Sequence, residues 1–204
     1  IIAEIGMNHN GLYDKAIELI DIAIKAGADC VKFQMRCLEE LYSQDALDVS
    51  KGDLSTQYTI GLLRKFELSY DEYKKLAKYC HDNNIIFLCT PWDIKSADLI
   101  EKIGVSAYKV ASADMTNYAL LDHLCEKGKP LILSTGMSKK SEIDNVVKYL
   151  NSKKKKVKFA LLHCNSTYPA PFKDINLNYL KTMSEYDIPI GYSGHERGIA
   201  VTLA

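Results

Sequence analysis

Seven short apolar segments recur along the chain, and nearly every one ends in a polar cluster: IIAEIGMNHNG, CVKFQ, IIFLCTPWD, YKVASAD, LILSTGM, FALLHCNSTYP and IPIGYSGHE. Stretches with helical periodicity separate them. Continuous apolar runs such as IIFL and LIL suit parallel strands covered on both faces. In a (β/α) barrel, functional groups gather at the C-terminal ends of successive strands. The pattern therefore predicts an α/β chain of the TIM (β/α)8 type, carried through about strand seven, and an enzyme. A doubly wound open sheet is the competing architecture. It is disfavoured because no glycine-rich phosphate turn follows the first segment.

The strands are expected at 1–5, 30–34, 85–89, 107–110, 131–134, 159–163 and 189–192. Helices are expected at 13–26, where Ala16, Leu19, Ile20, Ala23 and Ile24 recur at helical spacing, and at 69–83, 94–103, 118–127 and 140–151. Gly27 suits a helix C-terminus. Ser69, with Asp71 and Glu72 behind it, suits a helix start. The polar stretch from Arg36 to Leu62 reads as a long functional loop, and the lysine run 153–156 as a solvated turn. The chain opens inside a strand without a methionine. It closes on GIAVTLA, which looks like the start of an amphipathic helix. Both ends suggest part of a longer protein.

Composition narrows the function classes. Of 204 residues, 47% are hydrophobic and 25% charged, with a formal net charge of +0. Nothing in that balance points to nucleic acid or to a membrane surface, and no segment has the length of a membrane span. The six cysteines show no C-x-x-C spacing, so a zinc site is not expected and reduced thiols in a cytoplasmic protein are.

Lys32 and Lys109 lie inside apolar strands, where lysine is rarely buried without a partner. A lysine aimed into a barrel mouth can bind phosphate or carboxylate, or form a Schiff base. The hydroxyls Thr90, Ser112, Ser134, Thr135, Ser166 and Ser193 all follow strands. Singly each suits a turn; as a set beside two lysines they suit an anion cradle. Glu4 and Asp114 stand at strand ends, where a carboxylate serves as acid, base or metal partner. Glu4 in particular would be costly to bury without such a role. His9, His163 and His195 also fall at strand ends, and His195 is the candidate metal ligand. His81 and His123 fall on helices, Tyr168 and Pro169 in a shaped loop, and Trp92 at the mouth.

The ordered set EIGMNHNG, VKFQ, STGM, LLHC…YP and GYSGHE resembles the N-acetylneuraminate (sialic acid) synthases, over essentially the whole chain. The resemblance implies a TIM barrel followed by a small antifreeze-like domain, which these 204 residues do not contain. It implies condensation of phosphoenolpyruvate with an N-acetylated aldose, usually N-acetylmannosamine, to a nine-carbon sialic acid and phosphate. A divalent metal ion, manganese or magnesium, and a homodimer are implied with it. Carried over residue by residue, Lys32, Thr90, Lys109, Ser112, Ser134, Ser166 and Ser193 would bind phosphoenolpyruvate. Glu4 would position the reacting carbon or a water. Gln34, Tyr168 and Asp53 would meet the sugar, and His195 the metal. Glu4, Lys109 and Asp114 are the expected catalytic residues.

Two departures stand out: Asp114 replaces a more usual glutamate, and YSGH replaces the more common SDH form. Synthases of legionaminic or pseudaminic acid, which take diacetamido sugars, are the nearest alternative. A Schiff-base aldolase using Lys109 or Lys32 and a non-catalytic sugar-binding barrel are the others.

Overall fold

The structure, a computed structural model, describes residues 1–48, 50, 51 and 53–204. The chain divides into two compact units, Ile1–Ser106 and Ala107–Ala204.

The first unit carries a parallel three-stranded sheet, β1 (Ile2–Gly6), β2 (Cys30–Met35) and β3 (Ile86–Pro91), in that order. Glu4 lies opposite Lys32, Lys32 opposite Leu88, and Gln34 opposite Thr90. Side chains alternate along a strand, so Glu4, Lys32, Gln34 and Thr90 share one face. Val31, Phe33, Phe87 and Cys89 take the other and form the core. Phe33 stacks on Phe87 with ring centroids 5.5 Å apart and meets Tyr73 edge-on at 6.4 Å, geometries aromatic pairs favour. Tyr73 belongs to α5 (Tyr70–Asp82), which opens on a reciprocal cap between Ser69 and Glu72. Helix α1 (Tyr13–Lys25) buries Ala16, Ile20 and Ala23, one stripe at helical spacing. Helix α6 (Ile94–Ile103) runs from the Asp93 cap to Gly104, whose φ of 96° a side-chain-bearing residue would resist.

The stretch expected as a loop holds three helices instead: α2 (Leu38–Leu41), α3 (Gln44–Leu47) and α4 (Leu54–Phe66). Ser43 caps α3 and Asp53 caps α4 through the Ser55 and Thr56 amides, while buried Leu38 and Ile60 anchor the segment. Two of these helices are single turns, too short to show a repeating apolar stripe.

The second unit carries a parallel four-stranded sheet, β4 (Tyr108–Val110), β5 (Leu131–Ser134), β6 (Phe159–Cys164) and β7 (Ile190–Ser193), in that order. Tyr108, Leu131, Leu133 and Leu161 point into its core and are fully buried. Helix α7 (Tyr118–Lys127) contributes Leu120, Leu121 and Leu124, and ends on Gly128 at φ 74°. Helix α8 (Lys140–Asn151) contributes Ile143, Val146 and Leu150. A short α9 (Tyr179–Met183) and α10 (Ala200–Leu203) complete the unit; the first lies in a stretch left without an element by periodicity.

Helices 94–103, 118–127 and 140–151 match the expected spans. Most strand ends differ by one or two residues, the usual uncertainty where a ladder frays. Among the described residues no helix is long and apolar enough to cross a membrane.

Candidate active site

The first unit places a lysine, a carboxylate and a hydroxyl in direct contact. Lys32 is 6% exposed. Its Nζ donates to Thr90 Oγ1 at 2.9 Å and lies 2.6 Å from Glu4 Oε2. Thr90 sits two residues beyond Leu88, the register partner of Lys32, so the pleat puts its hydroxyl on the lysine's face. Glu4 is not buried, contrary to the expectation. Its side chain is 50% exposed, so it keeps access to solvent while its charge is held by Lys32.

The second unit repeats the device. Lys109 is also 6% exposed, and its Nζ donates to Ser134 Oγ at 2.7 Å and to the Val110 carbonyl at 2.9 Å. Ser134 sits two residues beyond Ile132, the register partner of Lys109. One spacing rule, lysine on one strand and hydroxyl two residues past its partner on the next, thus builds both sites. Each keeps an ammonium group buried and hydrogen-bonded.

Around the strand ends of the second unit lies a chain of polar contacts. Gly136 N–H donates to Ser112 Oγ at 3.1 Å, and Ser112 Oγ lies 3.7 Å from Cys164 Sγ. Ser193 pairs in register with Cys164 on the same face. A side chain on Gly136 would place its Cβ 2.5 Å from Ser166 Oγ and 2.9 Å from the Cys164 carbonyl. Gly136 is therefore what lets the Ser166 hydroxyl approach this turn. Gly136→Ala is expected to displace Ser166 and to cost about 1–3 kcal/mol of stability by overpacking. Thermal melts check it. Both the amide and the hydroxyl of Thr135 donate to the Leu162 carbonyl.

Tyr168 stacks on His195 with centroids 3.9 Å apart, and its hydroxyl lies 2.9 Å from His195 Nε2. His195 Nδ1 contacts the Asn165 carbonyl. A carbonyl only accepts, so Nδ1 carries the proton, which leaves Nε2 to accept from the Tyr168 hydroxyl. Yet among the described residues no three His, Cys, Asp or Glu side chains gather as a ligand set. One imidazole alone does not hold a divalent ion; His195 would be one ligand of such an ion, and no step below is routed through it. Burial raises the Cys164 thiol, but hydrogen bonds from His195 and Ser112 and the Lys109 charge outweigh it and hold the thiol below its usual range.

The other residues singled out in the sequence lie as follows. Asp114 lies in the 3₁₀ turn Ser112–Asp114, buried, with Oδ1 accepting from Asn117 Nδ2 at 3.1 Å. Asp53 is exposed and caps α4. His9 Nδ1 accepts from the Gly11 amide, and His163 Nε2 meets the Ile175 carbonyl at 2.6 Å. His81 is exposed. All six cysteines are free.

Sequence reasoning missed Arg36, Gly136 and Glu67. Burial pushes the Glu67 carboxyl from 4.5 to about 7, opposed by the charge of Arg36. Its proton is held more tightly in the folded protein than in the unfolded chain. The resulting stability is complete below about pH 4.5 and is lost as pH rises through about 7. Glu67→Gln is expected to remove that slope and to stabilise the protein at pH 8 by about 1–2 kcal/mol, discounted for the carboxyl's partial solvent access. Urea midpoints at pH 5 and pH 8 check it.

Residues 19–204 match the model of the NeuB family. The chain is 36% identical to the N,N'-diacetyllegionaminic acid synthase of Campylobacter jejuni, over 100% of this chain and 63% of that protein. It is 37% identical to the human N-acetylneuraminate-9-phosphate synthase, over 100% of this chain and 57% of that one. It thus spans about three fifths of the length of these relatives. The crystal structure of the N-acetylneuraminic acid synthetase of Leptospira borgpetersenii in complex with citrate superposes with a TM-score of 0.88 at 36% identity, covering 99% of this chain and 67% of that one. The fold is accordingly the parallel α/β architecture of the TIM-barrel type expected above, and the chain belongs to the NeuB family.

Proposed function

We propose that the protein condenses phosphoenolpyruvate with an N-acetylated aldose, N-acetylmannosamine in the leading reading, to a nine-carbon sialic acid and phosphate. The observation that carries this is the repeated buried lysine–hydroxyl pair, Lys32 with Thr90 and Lys109 with Ser134. Each pair fixes a cation beside a hydroxyl donor, which suits an anionic group, and phosphoenolpyruvate carries two such groups, a phosphate and a carboxylate. In this reading Ser112, Ser166 and Ser193 are further donors to phosphoenolpyruvate, and Tyr168 and Gln34 contact the sugar.

In the reaction, C3 of phosphoenolpyruvate attacks the aldehyde carbon, and the aldehyde oxygen takes up a proton to become a hydroxyl. The positive charge left at C2 is quenched by water, which Glu4, fixed by Lys32, orients. The resulting tetrahedral centre expels phosphate by C–O cleavage and becomes the ketone. Preorganised lysines hold the anionic groups throughout, at no reorganisation cost during the step. A divalent ion with His195 as one ligand belongs to this reading, as do a cytoplasmic setting and a homodimer.

The acceptor is the finer question. Phosphoenolpyruvate supplies three of the nine carbons, so a 9-phosphate product requires an aldose phosphorylated at C6, whereas a legionaminic-type product requires a diacetamido sugar. Phosphate release with N-acetylmannosamine, its 6-phosphate and a diacetamido hexose, with manganese or magnesium present, separates the three. The reading expects release with at least one and loss of it on chelation; no release with any aldose refutes it. Borohydride with pyruvate is expected to trap no adduct, and a covalent adduct on Lys109 or Lys32 would establish the aldolase alternative.

A further inference from the structure

Gln34 stands opposite Thr90 in the β2–β3 ladder. Arg36 lies two residues beyond Gln34, and Trp92 two beyond Thr90. All four share the face that carries Lys32. Arg36 Nη2 donates to Gln34 Oε1 at 2.7 Å, and Trp92 Nε1 donates to the same oxygen at 3.3 Å. The guanidinium also lies over the indole, 5.1 Å from its centroid, a favourable cation–π arrangement. Arg36 is braced from behind by Met7 Sδ at 3.3 Å, and the Gln34 backbone by the Tyr73 hydroxyl at 2.6 Å.

A guanidinium and an indole N–H can donate but not accept. The atom of Gln34 between them must therefore be the amide oxygen, and only one of the two amide orientations satisfies both. The NH2 end is thereby turned the other way. A Cβ built on Gly6 would lie 3.4 Å from Gln34 Nε2 and 3.2 Å from Glu4 Oε1, so the missing side chain leaves these two polar atoms facing one space. Among the described residues nothing accepts from Gln34 Nε2.

We propose that Arg36 and Trp92 are positioning residues for the acceptor sugar: they lock the Gln34 amide so that it offers only N–H donors beside Glu4. The sugar atom it meets is consequently an acceptor oxygen, a hydroxyl or an acetamido carbonyl. The identification of the ligand as a sugar rests on the function proposed above. Locking the amide before the sugar arrives removes an ordering cost from binding.

Kinetics and fluorescence of the full chain test this. Trp92→Phe keeps the ring and removes the N–H. It is expected to raise the KM for the aldose about 3- to 10-fold, as loss of one hydrogen bond does, with kcat and the KM for phosphoenolpyruvate within about twofold. Arg36→Met is expected to exceed about 10-fold, and Arg36→Lys to recover part of the loss. In a Gln34→Ala background, Trp92→Phe and Arg36→Met should add less than about twofold, because their target is gone. Full effects in that background, or an equal rise in the KM for phosphoenolpyruvate, would overturn the proposal. A second arm needs no turnover: the emission of Trp92, taken as the difference between wild type and Trp92→Phe, should shift in both Gln34→Ala and Arg36→Met. Unchanged emission overturns the clamp. If no aldose is turned over by the wild type, the proposed function falls, and the emission arm decides the clamp by itself.

Discussion

Lys109→Met is expected to reduce turnover by about a thousandfold or more, with the fold intact. Methionine keeps the length and apolar stem of lysine, so the buried volume around β4 stays filled. What disappears is the ammonium that donates to Ser134 Oγ and the Val110 carbonyl. Ser134 Oγ keeps its own proton to donate, which limits the structural cost to about one hydrogen bond. The catalytic cost is larger, because a buried fixed charge acts in a low effective dielectric. A thousandfold is about 4 kcal/mol, within the range for removing one preorganised charge or donor. Steady-state phosphate release beside a thermal melt separates the two effects. A loss below about tenfold in a folded variant would place Lys109 outside the chemistry.

Lys32→Met carries the second-largest expectation, a loss of about a hundred- to a thousandfold, for a different reason. Lys32 holds Glu4 at 2.6 Å as well as bonding Thr90. Removing the ammonium deletes a positive charge and also frees a half-exposed carboxylate that would otherwise stay in place. Groups that act as a unit are not additive. Glu4→Gln with Lys32→Met should therefore be scarcely worse than Lys32→Met alone. If the two losses instead multiply, Glu4 acts independently of Lys32, and its placement by that pair is wrong.

Much of this was readable in the chain because it depends on local pattern. Apolar runs of four to six residues marked the strands, and a lysine inside such a run is conspicuous, since burying it demands a partner. Lys32 and Lys109 were found that way. Which partner each lysine meets is set by register between strands far apart in sequence. Thr90 and Ser134 could therefore be singled out as candidates but not assigned. The same limit explains Thr135, whose neighbour Ser134 serves Lys109 while its own hydroxyl bonds a carbonyl.

The half-exposure of Glu4 was not legible, because a period-2 pattern gives the face of a side chain but not how far it reaches toward solvent. Arg36 read as the first residue of a polar stretch. Its meaning lies in Gln34 two residues before it and Trp92 across the ladder, and in continuing the face of Lys32 past the end of the strand. Gly136 carried no signal of its own; the need for a bare Cα there comes from Ser166 and Cys164, thirty and twenty-eight residues away. The helices α2 and α3 were missed because a single turn has no periodicity to detect.

The central claim is that the buried lysines and their hydroxyl partners exist to hold phosphoenolpyruvate. Calorimetric titration of the protein with phosphoenolpyruvate alone tests it most directly. Saturable binding of one equivalent by the wild type, weakened at least about tenfold in Lys109→Met and in Lys32→Met, is the expected result. Wild-type affinity in both variants, or no binding by the wild type, would contradict it.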